Sequence, residues 1–205
     1  MPLMSCIQNI LEISDISQTF ALEYEELYKT TKNGKGNIYK KQNNEKCQLH
    51  PIYLSLGNIP TWRRNRQDAK QLLGYLPIIK SNVEKEIKRQ LFHKCLDIIL
   101  EPILTFSEKG TNLLFNNKFI WFYPKISTII ADWPEAATFC LTYKSTKSKY
   151  SCHFCLVKRD NLTNTNLNKK DMELRNHENM QYYYNSNEEQ TVSIETVPNI
   201  FWKFK

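Results

Sequence analysis

An α/β fold is predicted from three features of the sequence. Strand-like segments at residues 50–60 and 72–79 precede one long amphipathic helical stretch at 81–109. A second strand-like pair comes at 112–116 and 118–123, and an apolar, β-branched run from Ile126 then ends on Asp132. Extended segments alternating with helical ones are the pattern of that class. Beyond the aspartate stands a Cys-x-x-Cys knuckle made of Cys152 and Cys155. A buried strand that delivers a carboxylate at its C-terminal end is one way to present a metal-binding acid. Cysteines two residues apart form half of a structural zinc site.

Each element has its own local reason. Ile7, Ile10, Leu11 and Ile13 fall at near-helical spacing, and Ser14, Asp15 and Ser17 then break the pattern and cap the next segment. Phe20, Tyr24, Leu27 and Tyr28 share one helical stripe, whereas 29–48 is polar, contains Gly34 and Gly36, and reads as a loop. The first strand ends in turn residues Gly57 and Pro60, and Trp62, Arg63, Arg64 and Arg66 come next as a basic cluster beside an aromatic. Pro77 restricts the second strand to an edge.

In the long helix Ser81 is the expected N-cap, with Glu84 and Glu86 near the positive end of the dipole. Ile87, Leu91, Cys95, Ile98 and Ile99 form the expected buried stripe, and His93 is read as structural rather than as a ligand. Pro102 is expected to kink or end the helix. Pro134 and Glu135 suit the first turn of a short helix through Phe139 or Leu141. Asp132 therefore has two readings, a strand-end metal ligand or a helix cap. Past Cys155 the chain is polar: 161–168 reads as a loop, 173–184 as helical with His177, and 192–194 as strand-like.

With 205 residues, 41% of them hydrophobic, the chain can bury a core. Lys and Arg outnumber Asp and Glu by 28 to 21, a net charge of +7 that suits a nucleic-acid partner or an ordinary solvated surface. No stretch reaches the roughly 18 apolar residues of a membrane span, and no secretory leader is read in the first residues. Of six cysteines only Cys152 and Cys155 are tightly spaced, which points to a reduced, intracellular setting, nuclear if DNA is the partner. Zinc at the knuckle needs two more ligands, and Cys140 and His177 flank the pair; His153 inside it tends to point away. A redox pair or two inert thiols remain the alternatives. Trp62, Arg63, Arg64 and Arg66 are candidates to stack on and neutralise a nucleic-acid strand, or form a solvated turn. No small-molecule substrate is evident.

The motifs together resemble one family. The segment from His50-Pro-Ile-Tyr through Gly57-Asn-Ile-Pro60, Trp62-Arg-Arg-Asn65 and Leu73-Gly-Tyr-Leu-Pro77 is similar to the core of Plavaka-type transposases, fungal relatives of the CACTA group. Ala131-Asp-Trp-Pro-Glu135, Cys152-His-Phe-Cys-Leu156, Arg175-Asn-His-Glu178 and Asn199-Ile-Phe-Trp202 continue in the family's order. The resemblance implies a DDE-type, RNase H-like nuclease core, a mixed sheet flanked by helices, whose acids hold two Mg²⁺ ions for attack on phosphodiesters. It implies a cysteine-containing insertion after the second acid, Asp132. Residues 1–48 are then an N-terminal helical and loop segment, 49–139 a partial core, and 140–205 the zinc-knuckle insertion with a truncated C-terminal part.

Two departures set the functional expectation. The family's first aspartate lies on a strand just before His50, but 39–49 contains neither an apolar strand nor an aspartate. A segment between Asn44 and Glu45 is read as lost, and Glu45 sits in the wrong context to replace it. The family's last acid lies past Phe201-Trp202, beyond this sequence. One carboxylate of three cannot hold two divalent ions, so productive magnesium binding is not expected. The expected product is a transposon-derived pseudoenzyme without strand-transfer activity. The alternatives are a retained nucleic-acid-binding or interaction module, and a mis-assembled reading frame that folds poorly.

Overall fold

The computed structural model describes residues 3–13, 15, 48–78, 84–143 and 147–204. The helical stripe expected at 20–28, most of the 29–48 loop and the Ser81 cap lie outside them. The described residues are mixed α/β, with two separate two-stranded antiparallel sheets. They fall into two compact units, Met1–Ile79 with Gly110–Tyr123, and Lys80–Lys109 with Pro124–Lys205.

In the first unit, helix α1 (Leu3–Leu11) buries Leu3, Cys6, Ile7, Ile10 and Leu11 on one face. That face packs on strand β2 (Gln71–Ile78), which pairs antiparallel with β1 (Gln48–Leu54), and α1 also touches β3 (Thr111–Phe115). Each such side chain contributes roughly 2 kcal/mol. A bulge opposite Ile52 and Tyr53 inserts Leu73 as an extra residue in β2, which is why Leu73 and Leu76 are both buried despite their odd spacing. Pro77 is tolerated because a two-stranded sheet has only edges. Between the strands lies the short helix α2 (Thr61–Arg64). Strands β3 and β4 (Lys118–Phe122) form a hairpin closed by Asn116 and Asn117. Both have positive φ, 49° and 60°, as a two-residue turn matched to strand twist requires, and asparagine is the side chain besides glycine that most readily adopts it.

In the second unit, helix α3 (Lys85–Lys109) runs through Pro102 without ending. Proline removes the hydrogen bond to the carbonyl four residues earlier. That carbonyl belongs to Ile98, which is 71% exposed, so water can satisfy it. The buried stripe is His93, Leu96, Leu100 and Ile103, not the expected one: Ile87, Leu91 and Ile98 are exposed, and Cys95 and Ile99 are half-buried. Both stripes have helical spacing. The face that wins carries the histidine, whose ring packs edge-on to Phe92 and Phe201.

The run from Ile126 to Asp132 is not a strand. Residues 124–131 are irregular, and Ile130 is 95% exposed. A strand needs a neighbour for its amide groups, and no described strand pairs with this one. Helix α4 (Trp133–Phe139) starts at Asp132 as expected. The strand-like 192–194 segment is reduced to a 3₁₀ turn, Glu189–Val192, and one bridge between Thr142 and Ile194. Helix α5 (His177–Asn185) begins later than expected, at the cap Asn176: the Asn179 N–H donates to Asn176 Oδ1 and the Asn176 N–H to Asn179 Oδ1, each at 2.8 Å. Met180, Val192 and Ile194 form a small core under Leu156, Tyr183 and Trp202.

Candidate functional site

Asp132 closes the exposed run and caps α4. The Glu135 N–H donates to Asp132 Oδ1 at 2.8 Å, and Pro134 occupies the first turn, where no amide is needed. Of the two roles open from the sequence, the geometry is that of the cap. Asp132 is exposed, and among the described residues no group of three or more His, Cys, Asp or Glu side chains is placed to hold a metal ion.

The knuckle lies beside this helix in the same unit. Its chain runs antiparallel to 173–175: Cys155 bridges Leu174, Leu156 N–H donates to the Glu173 carbonyl at 2.8 Å, and Arg175 N–H to the Phe154 carbonyl at 2.9 Å. That pairing brings the Arg175 guanidinium inward. Its Nε donates to the Cys152 carbonyl at 3.0 Å, and Nη2 to those of Val192 and Tyr150 at 2.7 and 3.3 Å. Nη1 rests on Met180 Sδ at 3.2 Å. Burial pushes the Arg175 pKa down, while the thiols of Cys152, Cys140 and Cys155 act in the opposite direction. Three of the four expected zinc ligands thus act electrostatically on this one guanidinium. The fourth does not join them: His177 is exposed on the first turn of α5. The thiols of Cys152 and Cys155 interact directly, and burial raises the Cys155 pKa, an effect the Cys152 thiol reinforces. His153 is buried against the Trp133 ring at 4.4 Å, and among the described residues its Nδ1 has no hydrogen-bond partner.

The basic cluster, in the other unit, divides by burial. Trp62 is 61% exposed with the Arg66 guanidinium 6.0 Å from its ring centroid. Arg64 donates to the Gly57 carbonyl and to Thr61 Oγ1. Arg63 turns inward instead. It is 1% exposed, and its fork donates to both carboxylate oxygens of Asp15 and both of Asp68 at 2.5–3.0 Å. The hydrogen bonds from Arg63 hold both aspartates below their ordinary 3.8, and the same bonds raise the arginine's own pKa. Arg63 is therefore the centre of a buried ion-pair network.

A family model described as Plavaka transposase matches residues 35–204. The chain belongs to the Plavaka transposase family. No curated protein and no solved structure matches it. The matched stretch contains Asp132, the knuckle, Arg175 and the Trp62 cluster, so the ordered motifs of this Plavaka relative lie within its family region. Among the described residues no helix is long and apolar enough to cross a membrane.

Sequence reasoning missed the organising role of Arg175 in this Plavaka family chain. The signal was present in Arg175-Asn-His-Glu178, where the histidine is the more conspicuous candidate ligand. An arginine two residues ahead of a helix is ordinary until the carbonyls it collects, from Tyr150, Cys152 and Val192, are known to converge.

Proposed function

We propose that this chain is a transposon-derived remnant of a Plavaka transposase core, without DNA cleavage or strand-transfer activity of its own. Residues 49–139 carry the partial RNase H-like core, between an N-terminal segment, 1–48, and a knuckle-bearing 140–205 part. The observation that carries the reading is Asp132, the family's second acid by position, serving as the N-cap of α4. Among the described residues no group of acids fits a two-magnesium centre. Asp15 and Asp68 are bound by Arg63, and Asp97 by Lys203 Nζ at 2.7 Å. The sequence holds no aspartate between Asp15 and Asp68, where the family's first acid would fall.

A cap and a catalytic acid respond differently to mutation. Asp132→Ala is expected to lower stability by about 1 kcal/mol, and Asp132→Asn by little, because an amide oxygen caps as well as a carboxylate. With labelled duplex DNA and Mg²⁺ or Mn²⁺, the native chain and both variants are expected to leave the substrate intact. Metal-dependent cleavage by the native chain, lost in Asp132→Asn, overturns the proposal.

Zinc belongs to the same proposal, held by the paired thiols of Cys152 and Cys155 with Cys140 as third ligand. The support is the two-residue spacing of Cys152 and Cys155, whose thiols interact directly; among the described residues no group of three ligands is preformed, so zinc would draw Cys140 in on binding. Bound zinc would supply folding free energy to this polar part of the chain. Metal analysis is expected to find about one zinc per chain, lost in Cys152→Ser and retained in His177→Ala. Zinc-free purified protein whose melting is unaffected by chelator removes this part.

A second reading, a retained DNA-binding module, is favoured by exposed Trp62 with Arg66 over its ring and by the net charge of +7. It predicts salt-dependent affinity, and no detectable binding at about 50 mM salt removes it.

A further inference from the structure

Helix α3 carries a second apolar line that stays open among the described residues. Ile87, Leu91 and Ile98 are 49%, 38% and 71% exposed, and Cys95 and Pro102 beside them are half-buried. At 3.6 residues per turn the three large side chains fall within about 40° of one direction. Leu96, Leu100 and Ile103, buried in the helix's own unit, lie on the opposite side.

Charge along this line selects the occupant. Lys94 and Glu101 are exposed on one flank of it. Two turns, about 10 Å, separate them, too far to pair within the helix. At the ends stand Glu84, whose carbonyl accepts from the Lys88 N–H at 3.2 Å, and Lys109 in the last turn. Among the described residues Lys94 and Lys109 have no ion-pair partner. A second α3, turned end for end about an axis level with Ile98, sets Lys94 of each copy opposite Glu101 of the other. The same register brings Lys109 of each copy within about 3 Å, along the axis, of the level of Glu84 of the other. Ile98 meets its own counterpart at the centre. A parallel pair would instead set Lys94 against Lys94 and Glu101 against Glu101. The line is complementary to its own inverse, a property that an unrelated partner does not require.

We propose that α3 docks antiparallel on α3 of a second copy of this chain, through Ile87, Leu91 and Ile98, with Lys94 and Glu101 pairing across the seam twice. The contact is isologous, each copy offering the same patch. The Ile98 carbonyl, which Pro102 deprives of its helical donor, sits at the centre and keeps water in the seam. A single helix pair also stands at the small end of specific interfaces, so the expected dissociation constant is on the order of 10 µM. The inference is independent of Asp132, of zinc and of DNA binding.

The test is sedimentation equilibrium of the full chain from about 1 to about 200 µM, where a monomer–dimer equilibrium is expected. Ile98→Asp is expected to remain monomeric throughout, and because Ile98 is largely exposed the melting curve of the dilute chain should not move. Lys94→Glu is expected to weaken dimerisation by about 10-fold, and Lys94→Glu combined with Glu101→Lys to restore it. Mild oxidation reads the direction of pairing. Ile98→Cys is expected to form a disulfide between copies above the background of the native chain, and Ile87→Cys is not, because antiparallel copies hold that position roughly 30 Å apart. A chain still monomeric at about 200 µM overturns the inference, as does a dimer unaffected by Ile98→Asp. Equal crosslinking of Ile87→Cys and Ile98→Cys, or a double charge variant no tighter than Lys94→Glu, overturns it too.

Discussion

Acidification from pH 6.5 to pH 4 is expected to destabilise the second unit by about 3 kcal/mol through His93 alone. The ring is buried with both nitrogens engaged. Nε2–H donates to the Thr138 carbonyl at 3.1 Å, and the Ile200 N–H approaches Nδ1 at 3.4 Å. The imidazole is therefore neutral, with its proton on Nε2. Burial pushes its pKa down to about 4, assisted by the positive charge of Arg89 and opposed by the Thr138 carbonyl. A histidine with a depressed folded pKa takes its proton first in the unfolded chain. Stability falls as the pH drops below 6.5, and the loss is complete once the folded value near 4 is passed. Denaturant unfolding at pH 7, 5.5 and 4 reads the slope directly. His93→Gln, which can still donate to the Thr138 carbonyl but does not titrate, is expected to lack it; an unchanged slope would place the proton elsewhere.

Replacing Arg63 should have the other large effect. Arg63→Lys keeps the charge but removes the planar fork that reaches four carboxylate oxygens, and the melting temperature is expected to fall on the order of 10 °C. The linked pH effect runs below that of His93. Asp15 and Asp68 are held below 3.8, so their contribution is present above that value and lost as the pH falls through their folded pKa values. In Arg63→Lys this acid limb should weaken. A variant that melts like the native chain but binds DNA less tightly would return Arg63 to the nucleic-acid surface.

The helices and hairpins were legible in the sequence wherever local chemistry decides the outcome. The strand-like runs at 112–116 and 118–123 are the β3–β4 pair, and Asp132-Trp-Pro-Glu135 gives a capped helix start. Local signals failed where the answer depended on a neighbour. Ile126 to Ala131 has strand composition, but composition supplies no partner, and among the described residues none stands beside it. On α3 two stripes compete, and the buried one is marked by a histidine that hydrophobicity scores against. Among the basic residues, Arg63, Arg64 and Arg66 are indistinguishable by type. Only the aspartates at 15 and 68 separate the buried one from its neighbours, and one of them is 48 residues away.

Asp132 caps α4, and on the proposed reading no two-ion centre forms around it. Calorimetric titration of the full chain with Mn²⁺, beside Asp132→Asn, tests it most directly. The account predicts weak, indistinguishable heats from the two proteins. Two tightly bound manganese ions per native chain, with at least one lost in Asp132→Asn, would contradict it.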